Sequence, residues 1–100
     1  MNEKTGQSNY SKVRVTLYTR PRCHLCEEAK QAIIKANCTD DYDLEEINID
    51  TDPVLVARYG LEIPVVCLNG IKTFIDHLNA EEFRSEVQRA RRNAEPRMSS

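Results

Sequence analysis

The sequence lacks any long apolar run and any strong excess of one charge. No stretch approaches the roughly 18 consecutive apolar residues of a membrane span, and residues 1–12 are polar, so no secretory leader is expected. The 14 basic and 16 acidic residues nearly balance, whereas a nucleic-acid-binding domain is usually strongly basic. We therefore expect one globular, monomeric, cytoplasmic domain without a membrane or nucleic-acid partner.

Cysteine is also sparse, and only one close pair occurs among the four. Cys23 and Cys26 form a C-x-x-C motif within the segment T-R-P-R-C-H-L-C, whereas Cys38 and Cys67 stand alone. In a chain without signs of secretion, such a motif is more often catalytic or metal-binding than part of a disulfide framework. The plainer alternative is that both residues are ordinary helix positions that happen to be cysteine.

Alternating apolar residues predict the strands. They indicate strands over 13–19, 42–50, 63–68 and 71–75, and the Asn69-Gly70 dipeptide predicts a tight hairpin turn between the last two. Residues 1–12 and 93–100 show no periodicity, so we predict flexible tails on both sides of a domain that spans 13–92.

Apolar residues at steps of three and four predict a helix over about 23–37. Asp52-Pro53 and Gly60 indicate the ends of a short helix over 53–59, and a capping box of Asn79 and Glu82 begins a final helix that ends within 89–92. The order β-α-β-α-β-β-α predicts an α/β fold, with a mixed four-stranded sheet and helices on both faces. The C-x-x-C motif then lies at the carboxyl end of the first strand, where ligands gather in open α/β sheets.

The position of Cys23 at a helix start favours a negatively charged sulfur. Unpaired backbone amides and the positive end of the helix dipole lie near it, and Arg20 and Arg22 add two cations. We therefore expect the pKa of Cys23 to fall below the roughly 8.5 of a free cysteine. Cys26 shares the apolar stripe of the helix, so it should be more buried and keep a higher pKa. This asymmetry predicts Cys23 as nucleophile and Cys26 as the residue that resolves the mixed disulfide.

The segments TLYTRPRCHLCEEAK and GLEIPVVCLNG, about forty residues apart, resemble a glutaredoxin of the thioredoxin superfamily, in particular small proteins with a C-x-L-C site. The resemblance implies a thioredoxin-like fold and a thiol-disulfide oxidoreductase without a resident cofactor, whose substrate is either a disulfide-containing protein or glutathione. It also implies a cis bond before Pro64, a substrate groove along the Ile63 backbone, and a glutathione contact at Asp76. His24 and Leu25 replace the Pro-Tyr of familiar glutaredoxins, and these two positions help to set the reduction potential.

Other interpretations stay open at this point. The same thiols could carry a metal or an iron-sulfur cluster, although Cys38, Cys67, His24 and His77 would then have to converge or a second copy would have to supply ligands. The domain could instead be a binding module whose dithiol is incidental. Arg20, Arg22 and His24 are candidates for binding substrate or tuning Cys23, and each could equally be a solvated side chain. We expect Cys67 in the core and Cys38 partly exposed.

Overall fold

The computed structural model describes residues 12–94. The strands in this range are β1 (Val13–Thr19), β2 (Tyr42–Asn48), β3 (Val65–Leu68) and β4 (Ile71–Ile75), and the α-helices are α1 (His24–Ala36), α2 (Pro53–Tyr59) and α3 (Ala80–Ala94). The predicted order of elements is confirmed. The predicted N-terminal tail lies outside the described residues except for Lys12, and so does the C-terminal tail beyond residue 94.

The four strands form one mixed sheet in the order β2-β1-β3-β4. Strand β1 pairs in parallel with β2 and antiparallel with β3, and β3 pairs antiparallel with β4. The turn between β3 and β4 has positive φ angles at Asn69 (52°) and Gly70 (84°), as the Asn-Gly dipeptide predicts. The same Asn69 is tied to β1, because its amide donates to the Arg14 carbonyl oxygen and its side-chain oxygen accepts from the Arg14 amide.

Helices cover both faces of the sheet. Along β3, Val66 and Leu68 belong to a core cluster with α1 and α3, whereas Val65 and Cys67 belong to a second cluster with α2. This division follows from the alternation of side chains along a strand. Of the helices between residues 12 and 94, none is sufficiently long and apolar to cross a bilayer.

Each α-helix begins at a side chain that accepts a backbone amide. Asp52 Oδ1 accepts from Val54 N at 2.9 Å before α2, and Asn79 Oδ1 accepts from Glu82 N at 2.8 Å before α3. Helix α1 starts at Cys23 and ends at Asn37, which adopts the left-handed conformation (φ 55°). These are the boundaries that the capping residues predict.

Three predicted boundaries are wrong by about two residues. Strand β2 ends at Asn48 rather than Asp50, because Asn48 Oδ1 accepts the Asp50 amide and starts a turn of 3-10 helix over Ile49–Thr51. Strand β3 begins at Val65 rather than Ile63, since Pro64 has no amide to donate to a neighbouring strand. Helix α3 runs on to Ala94 instead of stopping by residue 92.

Two neighbouring isoleucines test how α1 is held on the sheet. Ile33 is 2% exposed and Ile34 is 64% exposed. Because truncation of a buried aliphatic side chain leaves a cavity, we expect Ile33→Ala to lower the free energy of unfolding by about 2 to 5 kcal/mol. Ile34→Ala should change it by less than about 0.5 kcal/mol. Urea unfolding followed by circular dichroism measures both, and equal losses would contradict the packing described.

Candidate active site

The cysteine pair lies where β1 ends and α1 begins. After Thr19 the chain turns at Pro21 and Arg22, and Cys23 occupies the N-cap position of α1 with an extended backbone (φ −105°, ψ 106°). Its Sγ accepts the backbone amide of Cys26 at 3.1 Å. The two Cα atoms are 5.2 Å apart and the sulfurs are joined as a disulfide, so the structure represents the oxidised state of the pair.

The two sulfurs differ in access to solvent. Cys23 is partly exposed, whereas Cys26 is 1% exposed and packs with the buried face of α1. This is the asymmetry predicted from the apolar stripe. An incoming disulfide can therefore reach Cys23, while Cys26 is reached through Cys23 or through the cleft beside it.

The segment around Pro64 shares this end of the sheet. In the antiparallel pairing of β1 and β3, Tyr18 faces Val65, which brings Pro64 level with the end of β1. The bond between Ile63 and Pro64 is cis, as the resemblance implies. Among residues 12–94, neither the amide nor the carbonyl of Ile63 is bonded to another backbone group.

Backbone hydrogen bonds hold Asp76 next to the same segment. Its amide is shared by the carbonyl oxygens of Glu62 (3.1 Å) and Pro64 (2.8 Å), and its own φ is 79°. The Asp76 carboxylate is exposed and lies 4.0 Å from His77 Nδ1. The observed contacts of Asp76 thus fix the position of the loop before β3, and its side chain is free to face solvent.

Of the polar residues predicted to act near Cys23, Arg20 and His24 are paired with other side chains and Arg22 is exposed. Arg20 donates from Nε (3.1 Å) and Nη2 (2.8 Å) to Asp50 Oδ1, so its charge is already paired. His24 projects into solvent and lies 2.8 Å from Glu28 Oε2, one turn further along α1. Arg22 is exposed in the left-handed conformation (φ 61°).

A polar cleft beside Cys26 contains residues that sequence reasoning missed. It has a volume of about 190 Å³, and its lining includes Thr19, Cys26, Lys30 and Glu46. Lys30 Nζ lies 2.9 Å from Glu46 Oε2 and 3.0 Å from Glu27 Oε2. The spacing of Cys26 and Lys30 places both on one helix face, but only the sheet register brings Glu46 to them.

The remaining cysteines are buried and free, in separate parts of the core. Cys67 lies in the core, as predicted, in the cluster on the α2 side, whereas Cys38 is 8% exposed in the cluster on the α1 and α3 side. The prediction of a partly exposed Cys38 is wrong, because Cys38 packs into the core cluster that includes residues of α3. Burial raises the pKa of both thiols.

No metal site forms among residues 12–94. Within this range no three side chains of histidine, cysteine, aspartate or glutamate are placed to hold a metal ion together. Cys38 and Cys67 lie in separate core clusters, and His24 is on the surface at the start of α1. The convergence that a four-ligand site in one chain would need is therefore not observed in the described part of the molecule.

Comparison with known protein families matches residues 14–91 to the Glutaredoxin-like domain (DUF836). The chain belongs to this family. The glutaredoxin-like domain is also 32% identical over 68 residues to a thioredoxin of Methanocaldococcus jannaschii, an alignment that covers 65% of this chain and 80% of that protein.

Solved structures share its architecture. The X-ray structure of target protein XcR50 from X. campestris has a TM-score of 0.66 and 29% identity, over 75% of this chain and 96% of that one. A mutant thioredoxin from Halobacterium salinarum has a TM-score of 0.60 and 14% identity, over 83% and 78% of the two chains, a likeness of fold alone. The predicted thioredoxin-like fold is confirmed, and together with the close Cys23–Cys26 pair it indicates a redox-type function.

Alkylation of the reduced protein tests the assignment of accessible and buried thiols. We expect iodoacetamide at pH 8 to label Cys23 first, and to leave Cys38 and Cys67 unlabelled in the folded protein. Because burial raises the pKa of these two thiols, a rise to pH 9, which ionises most free cysteine, should ionise them to a smaller extent than a free cysteine. Peptide mass spectrometry locates the adducts.

The control is the same reaction in urea, where all four cysteines should react at similar rates. Labelling of Cys38 or Cys67 in the folded protein as fast as Cys23 would contradict the burial described.

Proposed function

We propose that this glutaredoxin-like domain is a thiol-disulfide oxidoreductase that reduces disulfides in proteins or mixed disulfides of glutathione through a dithiol mechanism. The observation that carries the proposal is the N-cap geometry of Cys23. Its sulfur accepts the Cys26 amide at 3.1 Å, is partly exposed, and is next to a buried second sulfur. An amide hydrogen bond and the helix dipole both favour the thiolate over the thiol.

In the first step, the Cys23 thiolate attacks one sulfur of the substrate disulfide. A bond forms between Cys23 and that sulfur, the substrate S–S bond breaks, and the other substrate sulfur leaves with the electron pair and takes a proton from solvent. In the second step, Cys26 loses its proton and attacks Cys23 Sγ. The first substrate sulfur then leaves as a thiolate, and the Cys23–Cys26 disulfide remains. Two electrons have passed from the dithiol to the substrate.

The loop before β3 supports a groove for an extended substrate. The Ile63 amide and carbonyl make no backbone hydrogen bond among the described residues, so they are available to pair with a peptide, as strand addition requires. Pro64 sets the edge of this groove level with the end of β1. We assign Arg22 and Asp76, which are exposed at the same end of the sheet, to contacts with the charged groups of a substrate such as glutathione. Arg20, paired with Asp50, and His24, paired with Glu28, are weaker candidates for this role.

The buried free thiols favour a reducing compartment. Cys38 and Cys67 are both unpaired in the core, and free cysteines are typical of cytosolic rather than secreted proteins. We propose a cytoplasmic location, a monomeric protein, and reduction of the Cys23–Cys26 disulfide by a cellular thiol or a reductase.

Trapping of the mixed disulfide tests the proposed roles. When Cys26→Ser is mixed with oxidised glutathione or with a disulfide-containing protein, we expect a stable adduct on Cys23, because the second nucleophile is missing. Intact mass and peptide mapping detect it. The matched variant Cys23→Ser should form no adduct at that site, and Cys38→Ser should behave like the native protein. Adducts on Cys38 or Cys67 in place of Cys23 would overturn the assignment.

The rate of Cys23 alkylation as a function of pH tests the physical basis of the mechanism. We expect a midpoint below the roughly 8.5 of free cysteine, since the N-cap hydrogen bond and the helix dipole stabilise the thiolate. The measurement uses the Cys26→Ser variant, so that one thiol of the pair titrates. A midpoint at or above that of a free thiol would contradict the proposed activation.

A further inference from the structure

The second step of the proposed mechanism requires stabilisation of the Cys26 thiolate, which the N-cap of α1 does not supply. Cys26 must become a thiolate to attack Cys23, yet it is 1% exposed, and burial in apolar surroundings disfavours a charged sulfur. The amide of Cys26 donates to Cys23 Sγ, so this hydrogen bond stabilises the sulfur of Cys23 and not that of Cys26. Any charge that helps Cys26 to ionise therefore has to come from the cleft beside it.

The charged residues that line this cleft come from three parts of the chain. They are Arg20 and Arg22 in the loop after β1, Glu27 and Lys30 on α1, and Glu46 on β2. Arg20 is paired with Asp50 and Arg22 is exposed. Lys30 differs from both because it lies four residues after Cys26 on the same helix face, where side chains are neighbours.

The Lys30 ammonium is held in place by hydrogen bonds. It lies 2.9 Å from Glu46 Oε2 and 3.0 Å from Glu27 Oε2, and the same Glu46 oxygen accepts from the hydroxyl of buried Thr19 at 3.4 Å. The Lys30 side chain is 30% exposed, against 43% for Glu46 and 66% for Glu27. The hydrogen bonds to Glu46 and Glu27 raise the pKa of Lys30, so it is a cation at neutral pH.

We propose that Lys30 is a positioning residue for the second step, in which its ammonium, fixed by Glu46 and Glu27, stabilises the thiolate of Cys26. The inference rests on the proposed function. In this step the Cys26 proton leaves through the cleft to solvent, and the sulfur attacks Cys23 Sγ. The bond between Cys23 and the substrate sulfur breaks, and the electron pair departs with that sulfur.

The sign of the effect follows from the charges in the cluster. Lys30, Glu27 and Glu46 together carry one positive and two negative charges. Removal of the ammonium leaves two carboxylates beside the thiol, which disfavours its ionisation. Replacement of Glu46 by glutamine removes one negative charge but keeps an oxygen that accepts a hydrogen bond from Lys30, which favours ionisation. The two substitutions should therefore act in opposite directions, an outcome that a general loss of packing does not produce.

The first measurement is direct and needs no substrate. In reduced Cys23→Ser protein labelled with ¹³C at the cysteine Cβ, the chemical shift of Cys26 is followed against pH by NMR. We expect Lys30→Met to raise the pKa of Cys26 by about one unit, the lower end of the range for removal of a neighbouring opposite charge. Glu46→Gln should lower it and Lys30→Arg should leave it near its original value. Lys35→Met is the matched control, because Lys35 is an exposed lysine in the last turn of α1 outside the cleft.

The second measurement follows release of substrate thiol from the mixed disulfide on Cys23. A rise of one unit in the pKa of Cys26 lowers its thiolate fraction about tenfold at neutral pH, while its nucleophilicity rises about threefold. We therefore expect Lys30→Met to slow the second step about three- to fourfold at pH 7, and to leave alkylation of Cys23 nearly unchanged. At a pH above the Cys26 pKa of both the native protein and Lys30→Met, the thiol is ionised in both proteins. Lys30→Met should then be the faster one, because its Cys26 thiolate is the more nucleophilic.

The outcomes separate this inference from the proposed function. Two results would overturn the role of Lys30, even if the native protein reduces disulfides. In the first, the pKa of Cys26 is the same in Lys30→Met as in the control Lys35→Met. In the second, Lys30→Met and Glu46→Gln shift the pKa of Cys26 in the same direction. If the native protein forms no mixed disulfide on Cys23, the proposed function fails, and the NMR titration still decides whether Lys30 controls Cys26.

Discussion

Helix α1 begins with a sulfur atom as its cap, and the redox chemistry proposed for the glutaredoxin-like domain depends on this arrangement. The Cys26 amide donates to Cys23 Sγ at 3.1 Å, at a position that is usually occupied by the oxygen of serine, threonine, aspartate or asparagine. This hydrogen bond thus caps the N-terminus of the helix. It also places the partly exposed sulfur at the positive end of the helix dipole and holds the second cysteine one turn away. Packing of Ala29, Ile33 and Ala36 against β1 and β3 fixes the helix and hence the bond.

The order of strands brings three separate segments to the same end of the sheet. Because β1 pairs antiparallel with β3, the start of β3 lies beside the end of β1, and Pro64 comes level with the loop that carries Cys23. Because β1 pairs in parallel with β2, Glu46 faces Leu17 and its carboxylate reaches Lys30 on α1. The same sheet therefore places the proposed substrate groove on one side of the cysteine pair and a charged cleft on the other.

Much of this could be predicted because the relevant signals are local. The Asn69-Gly70 turn, the Asp52-Pro53 and Asn79 helix starts and the alternating strands each depend on residues within a few positions of one another. Predictions failed where a distant contact decided the result. Cys38 follows a helix end and looked accessible, but its burial depends on chain segments that pack over it. Local patterns also give no sign that Asp50, thirty residues further on, pairs with Arg20.

The order of elements and the C-x-x-C motif at a helix start follow from the sequence alone, because periodicity and capping are properties of neighbouring residues. The folded structure alone shows that Glu46 pairs with Lys30, that the Asp76 amide holds the loop before β3, and that Asp50 pairs with Arg20. These contacts span tens of residues, and they form only when sheet register and helix packing bring the segments together.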